Sequence, residues 1–166
     1  MNEKKLFLLI GLGTLIILIT GVFFLSITNT SVPQVAASEY AKAWTLNPTS
    51  YDWGMIKFDG EKATKVFTIK NTGTENLKLY DIKTSCHCTK AHITINGKDS
   101  PDFGMSGISA WVGQVAPGKE AKLTVIFDQT FHGSSGIGPV TRYVSIKTND
   151  KGTPEITYTL TGTVVK

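Results

Sequence analysis

Cys86-His87-Cys88 is the densest concentration of chemistry in the chain, because both of its cysteines fall within one tripeptide. In an extended segment, residues two apart point to the same face, so Cys86 and Cys88 face one way and His87 the other. Two thiolates on one face can clamp a soft ion in a linear or bent geometry. Cu(I) accepts two or three soft ligands of this kind, drawn from Cys, Met and His. Met105 and His132 lie in separate Gly-rich stretches, and either can close such a site. His92 is a more remote candidate, an even number of residues from Cys88 and on its face if the strand is regular. His87 becomes a ligand only if the chain turns at the motif. Zinc also stays open, since Cys86, Cys88, His132 and one further residue would supply the four ligands of a structural zinc site.

Three plainer readings compete. Free cysteines are among the most buried residues, so the pair can be small core hydrophobes, with the histidines bonded to loop backbone. Cys86 and Cys88 can instead form a disulfide, which an oxidising compartment favours. A ring closed over one intervening residue is strained, and strained disulfides are the reducible ones. His132, finally, can be an ordinary turn residue, and Met105 a gap-filler packing with Phe103 as a plug over one end of the domain.

Other chemistries lack residues. Lys and Arg together number 17 against 13 acidic residues, a net charge of +4, and the basic residues are scattered rather than blocked. A nucleic-acid binder concentrates its positive charge, so no nucleic-acid partner is expected. The sequence contains no phosphate loop, dinucleotide fingerprint or His-Glu-x-x-His. No nucleophile–base constellation is visible either, so the chain does not read as an enzyme. Arg142 reads as paired with an acid or solvated.

The elements that must position the cysteines are strands. Lys65 to Lys70 puts Phe67 and Ile69 on one face, and Leu77 to Ile82 forms a second strand with mixed faces. Ala121 to Phe127 alternates apolar with mostly polar residues. Val140, Arg142, Val144, Ile146 and Thr148 share one face of another strand, and Ile156, Tyr158 and Leu160 one face of the last. Period-2 alternation marks strands with one buried face. Asn71-Thr72-Gly73, Pro117-Gly118 and Asn149-Asp150-Lys151-Gly152 supply turns between them. Without a long amphipathic helix, this spacing predicts an all-β sandwich over residues 49–166.

Ahead of it, Leu6 to Ile27 is a run of 22 residues without a charge. A helix of that length, at about 1.5 Å per residue, crosses a bilayer core. Lys4 and Lys5 precede the run and no basic residue follows until Lys42, which predicts a cytoplasmic N-terminus (residues 1–5) and an extracytoplasmic remainder. Val35-Ala36-Ala37 resembles a signal-peptide cleavage tripeptide. It lies well past the apolar run, however, and the run is longer than a usual signal core. The expectation is therefore a retained single-pass anchor (residues 6–27) in the cell membrane, followed by a stalk (residues 28–48). Ser38 is read as the cap of a short stalk helix carrying Tyr40, Ala41 and Trp44.

Tyr51-Asp52-Trp53-Gly54-Met55-Ile56, Phe67 to Gly73, Leu77-Lys78-Leu79, Ser85-Cys86-His87-Cys88-Thr89, Pro117-Gly118 and Leu160-Thr161-Gly162 occur in an order that resembles one family. It is a widespread bacterial extracytoplasmic family with an immunoglobulin-like fold, catalogued only as a domain of unknown function. Its usual signature is Asp-Phe-Gly-x-Ile, a strand ending Asn-x-Gly, then Ser-Cys-Gly-Cys-Thr, then Pro-Gly. The resemblance covers residues 49–166, and Ser-Cys-x-Cys-Thr is its specific part. It implies a Greek-key, immunoglobulin-like sandwich and a compartment, not an activity. Two departures stand out. His87 replaces the middle Gly, and the stretch from Thr89 to Pro117 is longer than usual.

Three functions follow as expectations. The first is a membrane-anchored extracytoplasmic module that binds or delivers Cu(I) through Cys86 and Cys88, with a copper-donor or copper-acceptor protein as partner. The second is a protein-interaction module whose Gly-rich loops recognise a partner and whose cysteines are structural. The third is a thiol-disulfide redox protein, although no helix N-terminus beside the pair is evident to activate a thiolate.

Overall fold

A computed structural model of the 166-residue chain describes residues 2–27 and 32–166. The first part of the expected stalk, residues 28–31, lies outside the described residues. Two compact units result, one spanning residues 1–31 and the other Val32–Lys166. The first contains helix α1, Glu3–Ile27. Its Glu3–Val22 portion is long and apolar enough to cross a membrane, a property that spans and signal sequences share.

The second unit holds ten strands: β1 (Ala43–Thr45), β2 (Ser50–Lys57), β3 (Ala63–Asn71), β4 (Leu77–Thr84), β5 (Thr89–Ile95), β6 (Lys98–Asp99), β7 (Val112–Val115), β8 (Glu120–Phe127), β9 (Gly138–Thr148) and β10 (Glu155–Val165). They form two five-stranded sheets, in the orders β1-β3-β8-β5-β6 and β2-β10-β9-β4-β7. Neighbours are antiparallel except β2, which runs parallel to β10. This is the expected all-β sandwich of the immunoglobulin-like kind.

The core lies where the alternation places it. Phe67, Ile69, Ala91, Ile93, Leu123 and Val125 face inward from one sheet, and Leu77, Leu79, Val144, Ile146, Tyr158 and Leu160 from the other. The Phe67 and Tyr158 rings meet across the interface, with centroids 4.3 Å apart. Each Val, Leu, Ile or Phe side chain among them, once buried, contributes about 1.5–3 kcal/mol. A second, smaller cluster of Ile56, Cys88, Phe127, Val140 and Val164 lies beneath the cysteine motif, with Trp53 packed against it.

The mixed faces of β4 have a local cause. Its pairing with β9 shifts register between Tyr80 and Lys83, and Asp81 adopts φ 47° there. Asp81 and Ile82 are consequently both buried. The Asp81 carboxylate accepts from Lys147 at 2.8 Å and Lys83 at 3.0 Å.

No helix follows Ser38. The Ser38 hydroxyl does accept the backbone N–H groups of Tyr40 and Ala41, both at 3.0 Å, as a capping serine would. The chain then enters β1, which pairs with β3 through Trp44↔Lys70. Gly73 permits this path, because a Cβ there would collide with the Tyr40 carbonyl oxygen. The buried Asp150 carboxylate pins the strand by accepting from Ala43 N–H at 3.0 Å and from Gly152 N–H at 2.9 Å.

Both buried acids titrate below the ordinary Asp range. Burial pushes Asp81 upward, but its hydrogen bonds from Lys147 and Lys83 outweigh that. Burial of Asp150 is likewise outweighed by the Ala43 and Gly152 N–H groups and by Lys42. A depressed folded-state pKa gives stability that is present above the unfolded value, near pH 4, and lost as pH falls through the folded value. Urea unfolding should show Asp81→Asn and Asp150→Asn each costing about 1–3 kcal/mol at neutral pH. The double variant should also lose less stability than the parent between about pH 5 and pH 2. Equal acid sensitivity in the two proteins would sink the assignment.

Candidate functional site

The cysteine motif is a corner. β4 belongs to one sheet and β5 to the other, so the chain crosses between sheets within residues 85–88. The crossing is a tight turn, closed by Thr89 N–H donating to the Cys86 carbonyl at 3.1 Å. The Thr84 hydroxyl lies 3.0 Å from both the Cys86 and the Thr89 carbonyl oxygens and ties the two strand ends together. Ser85 fixes the corner to β9: its N–H donates to the Tyr143 carbonyl at 3.0 Å, and its hydroxyl accepts Tyr143 N–H at 2.9 Å.

Within this turn Cys86 and Cys88 are joined as a disulfide, with Cα atoms 5.2 Å apart. The bonded pair was one of the three plainer readings of the sequence. Cys88 is 2% exposed and belongs to the smaller core cluster, whereas Cys86 is only partly buried. The segment is not extended, so the same-face argument does not apply; the turn itself brings the sulfurs together.

His132 comes from a second connection that crosses between sheets at this end, from β8 to β9. Two residues fix the base of that loop. The buried Gln129 amide donates to the carbonyls of Lys57, Gly60 and Glu61 at 3.0–3.2 Å. Asp128 pairs with Lys62 at 2.7 Å and also accepts the Thr130 hydroxyl, and these bonds lower its pKa. A short 3-10 turn at Gly133–Gly136 follows His132. The imidazole Nε2 lies 3.5 Å from Cys86 Sγ, and the ring stands edge-on to Phe131. The two sulfurs and a His132 nitrogen all lie within 4.8 Å of one another, the one such set of three Cys, His or acidic ligand atoms among the described residues.

Arg142 on β9 completes the surroundings and was not anticipated. Its Nε donates to Cys88 Sγ at 3.1 Å, its Nη1 donates to the Thr141 carbonyl at 2.8 Å, and its guanidinium lies 4.9 Å above the Phe127 ring. Burial alone shifts its pKa, downward. No carboxylate lies within 4.0 Å of it among the described residues. Of the two expected states, paired with an acid or solvated, the first finds no partner in that set, and the half-buried guanidinium is aimed at a sulfur.

The remaining candidates are placed differently. Met105 is half exposed, one residue beyond Gly104, whose carbonyl accepts Thr84 N–H at 3.2 Å. The loop thus passes the strand end that leads into the motif. Phe103 is buried against the core and Trp111, while Met105 points into solvent. His92 sits on β5 with Nδ1 3.7 Å from Asp102, outside the cysteine cluster. His87 is exposed at the tip of the turn. It lines a cleft of about 370 Å³ with Lys62, Cys88, Lys90, Asp128 and Phe131.

Comparison with known proteins agrees with the fold and leaves the activity open. The profile of a family described as protein of unknown function (DUF1573) matches residues 44–98, a stretch that contains Cys86 and Cys88. No curated protein matches the sequence. A protein of unknown function from Porphyromonas gingivalis W83 superposes with a TM-score of 0.59 at 19% identity, over 79% of this chain and 50% of its own. The chain thus spans half the length of that protein. A PapD-like domain of human CEP192 gives 0.49 at 14% identity, over 84% of this chain and 96% of its own. The periplasmic chaperone SfaE gives 0.42 at 11% identity, over 75% and 60%.

The unequal burial of the sulfurs has a measurable result. After reduction, a small alkylating reagent should label Cys86 at least about tenfold faster than Cys88, because attack requires an accessible thiolate. Peptide mass spectrometry over a time course reads the ratio, and equal rates would contradict this placement.

Proposed function

We propose that the sandwich is an extracytoplasmic module that holds Cu(I) between the thiolates of Cys86 and Cys88 and the imidazole of His132, close to a membrane through α1. The observation that carries this reading is the set of three ligand atoms within 4.8 Å, drawn from two sheet-crossing connections. Reduction of the disulfide by an external dithiol, with two electrons and two protons, frees both sulfurs. Metal binding then displaces the thiol protons. Two sulfurs and one nitrogen suit a three-coordinate soft monovalent ion. A structural zinc site normally takes a fourth protein ligand, which the cluster lacks among the described residues.

Met105 is a second-rank ligand in this reading. Its loop runs past Thr84, and its thioether is available at the surface. A copper-donor or copper-acceptor protein would approach over Cys86 and His132, the less buried members of the set.

One observation favours a second reading. The sulfurs are already bonded, and His132 and Arg142 flank them with nitrogen groups that stabilise thiolates, as a thiol-disulfide exchange protein requires.

The test uses the reduced full chain in detergent micelles, titrated anaerobically against a Cu(I) chelator. One Cu(I) per chain is expected. Cys86→Ser and Cys88→Ser should each abolish competition, and His132→Ala should weaken binding about 10- to 100-fold, as loss of one ligand or its support does. Binding that survives the double Cys variant ends the copper reading. Turnover of a small disulfide substrate without metal retention would favour the exchange reading.

A further inference from the structure

Arg142 carries a positive charge into the smaller core cluster, where it rests on Phe127 and donates to Cys88. A half-buried guanidinium normally has a carboxylate beside it, because desolvating a lone cation is costly. Here the acid lining the adjacent cleft, Asp128, is held by Lys62 at 2.7 Å. Lys90, on the same cleft, lies 3.9 Å from Asp102. The group Arg142 faces is a sulfur, and a disulfide sulfur is neutral. Only the reduced pair offers a counter-charge.

We infer that Arg142 is the built-in counter-ion of an anionic two-thiolate centre, and that it selects a monovalent over a divalent metal at Cys86 and Cys88. The inference rests on the proposed thiolate site. Two thiolates, a neutral imidazole and Cu(I) sum to one negative charge, which a single guanidinium balances. The same ligands around Zn(II) sum to zero, leaving Arg142 half-buried beside a neutral centre with no counter-charge there. The fixed cation thus acts on the difference between the two metals, as charged groups do when they set specificity. Arg142 touches sulfur rather than metal in this arrangement and is a positioning and specificity residue.

The experiment compares Cu(I) and Zn(II) affinity of the reduced full chain for the parent, Arg142→Lys, Arg142→Gln and Arg142→Met, with circular dichroism melts to confirm folding. Arg142→Met and Arg142→Gln should bind Cu(I) about 10- to 100-fold more weakly, the range expected when a charge-assisted hydrogen bond is removed. Their Zn(II) affinity should hold or rise. Arg142→Lys, which keeps the charge, should retain Cu(I) binding to within a few-fold. Arg142→Gln carries the test if Arg142→Met does not fold, and Arg142→Lys if neither does. In that last case, a Cu(I)-to-Zn(II) ratio in Arg142→Lys that falls to the level of free dithiols overturns the inference. Parallel loss of both metals, or an unchanged ratio, also overturns it while leaving the copper site standing. A parent that binds no Cu(I) when reduced brings down the underlying site as well.

Discussion

Two sheets about 10 Å apart must be joined by a chain that can cross the gap, and at one end of this sandwich three connections do so, β2–β3, β4–β5 and β8–β9, the last two carrying the site. The β4–β5 crossing has only residues 85–88 to work with. So short a passage admits little freedom, and Thr84, Ser85 and Thr89 use the available hydrogen bonds to fix it. The cysteines are held by that geometric necessity. The β8–β9 crossing is longer, and the Gln129 amide compensates by anchoring its base to three carbonyls of the β2–β3 turn. Without either crossing, the sulfurs and the imidazole would belong to separate parts of the surface.

The electrostatics of the site follow from the same corner. Cys88 is buried because the turn folds it beneath the strand ends, onto Phe127 and Val140. Arg142 reaches it from β9 because Ser85 ties the corner to Tyr143, the residue after Arg142. One sulfur therefore meets a cation in an apolar setting, while the other meets an imidazole at the surface. A symmetric motif in sequence becomes an asymmetric pair in space.

Much of this was legible in the residues. Phe67 and Ile69, the alternation from Ala121 to Phe127, and Ile156, Tyr158 and Leu160 all lie on buried faces as their period-2 spacing requires. The short edge strands β1, β6 and β7 were not legible, because two to four residues do not establish a period. Ser38 was read as a helix cap; its hydroxyl does accept the expected N–H groups, but pairing with β3 and the clearance at Gly73 direct the chain into a strand. His132 was chosen for its residue type, and only the fold could put it beside Cys86 rather than in an ordinary turn. Arg142 had a visible signal. It shares the face of Val140, Val144 and Ile146, and a lone charge on an otherwise apolar face asks for a partner. Nothing local could name that partner, since Cys88 and Arg142 are far apart in the chain.

The position of β10 carries a consequence for when the domain can form. This strand is last in chain order, yet it lies inside its sheet between β2 and β9. Its parallel partner β2 is among the earliest strands of the sandwich, with Ser50 opposite Thr159 and Lys57 opposite Val165. Pairing between such distant segments must await closure of a long loop, which makes it a late and slow event. Until Glu155–Val165 arrives, β2 has no neighbour and the inner faces of β3 and β8 lack Tyr158 and Leu160 to pack against. The other strands therefore cannot complete this sheet or the core without it. Strand order thus acts as a latch, in which the sandwich closes only when β10 enters between β2 and β9.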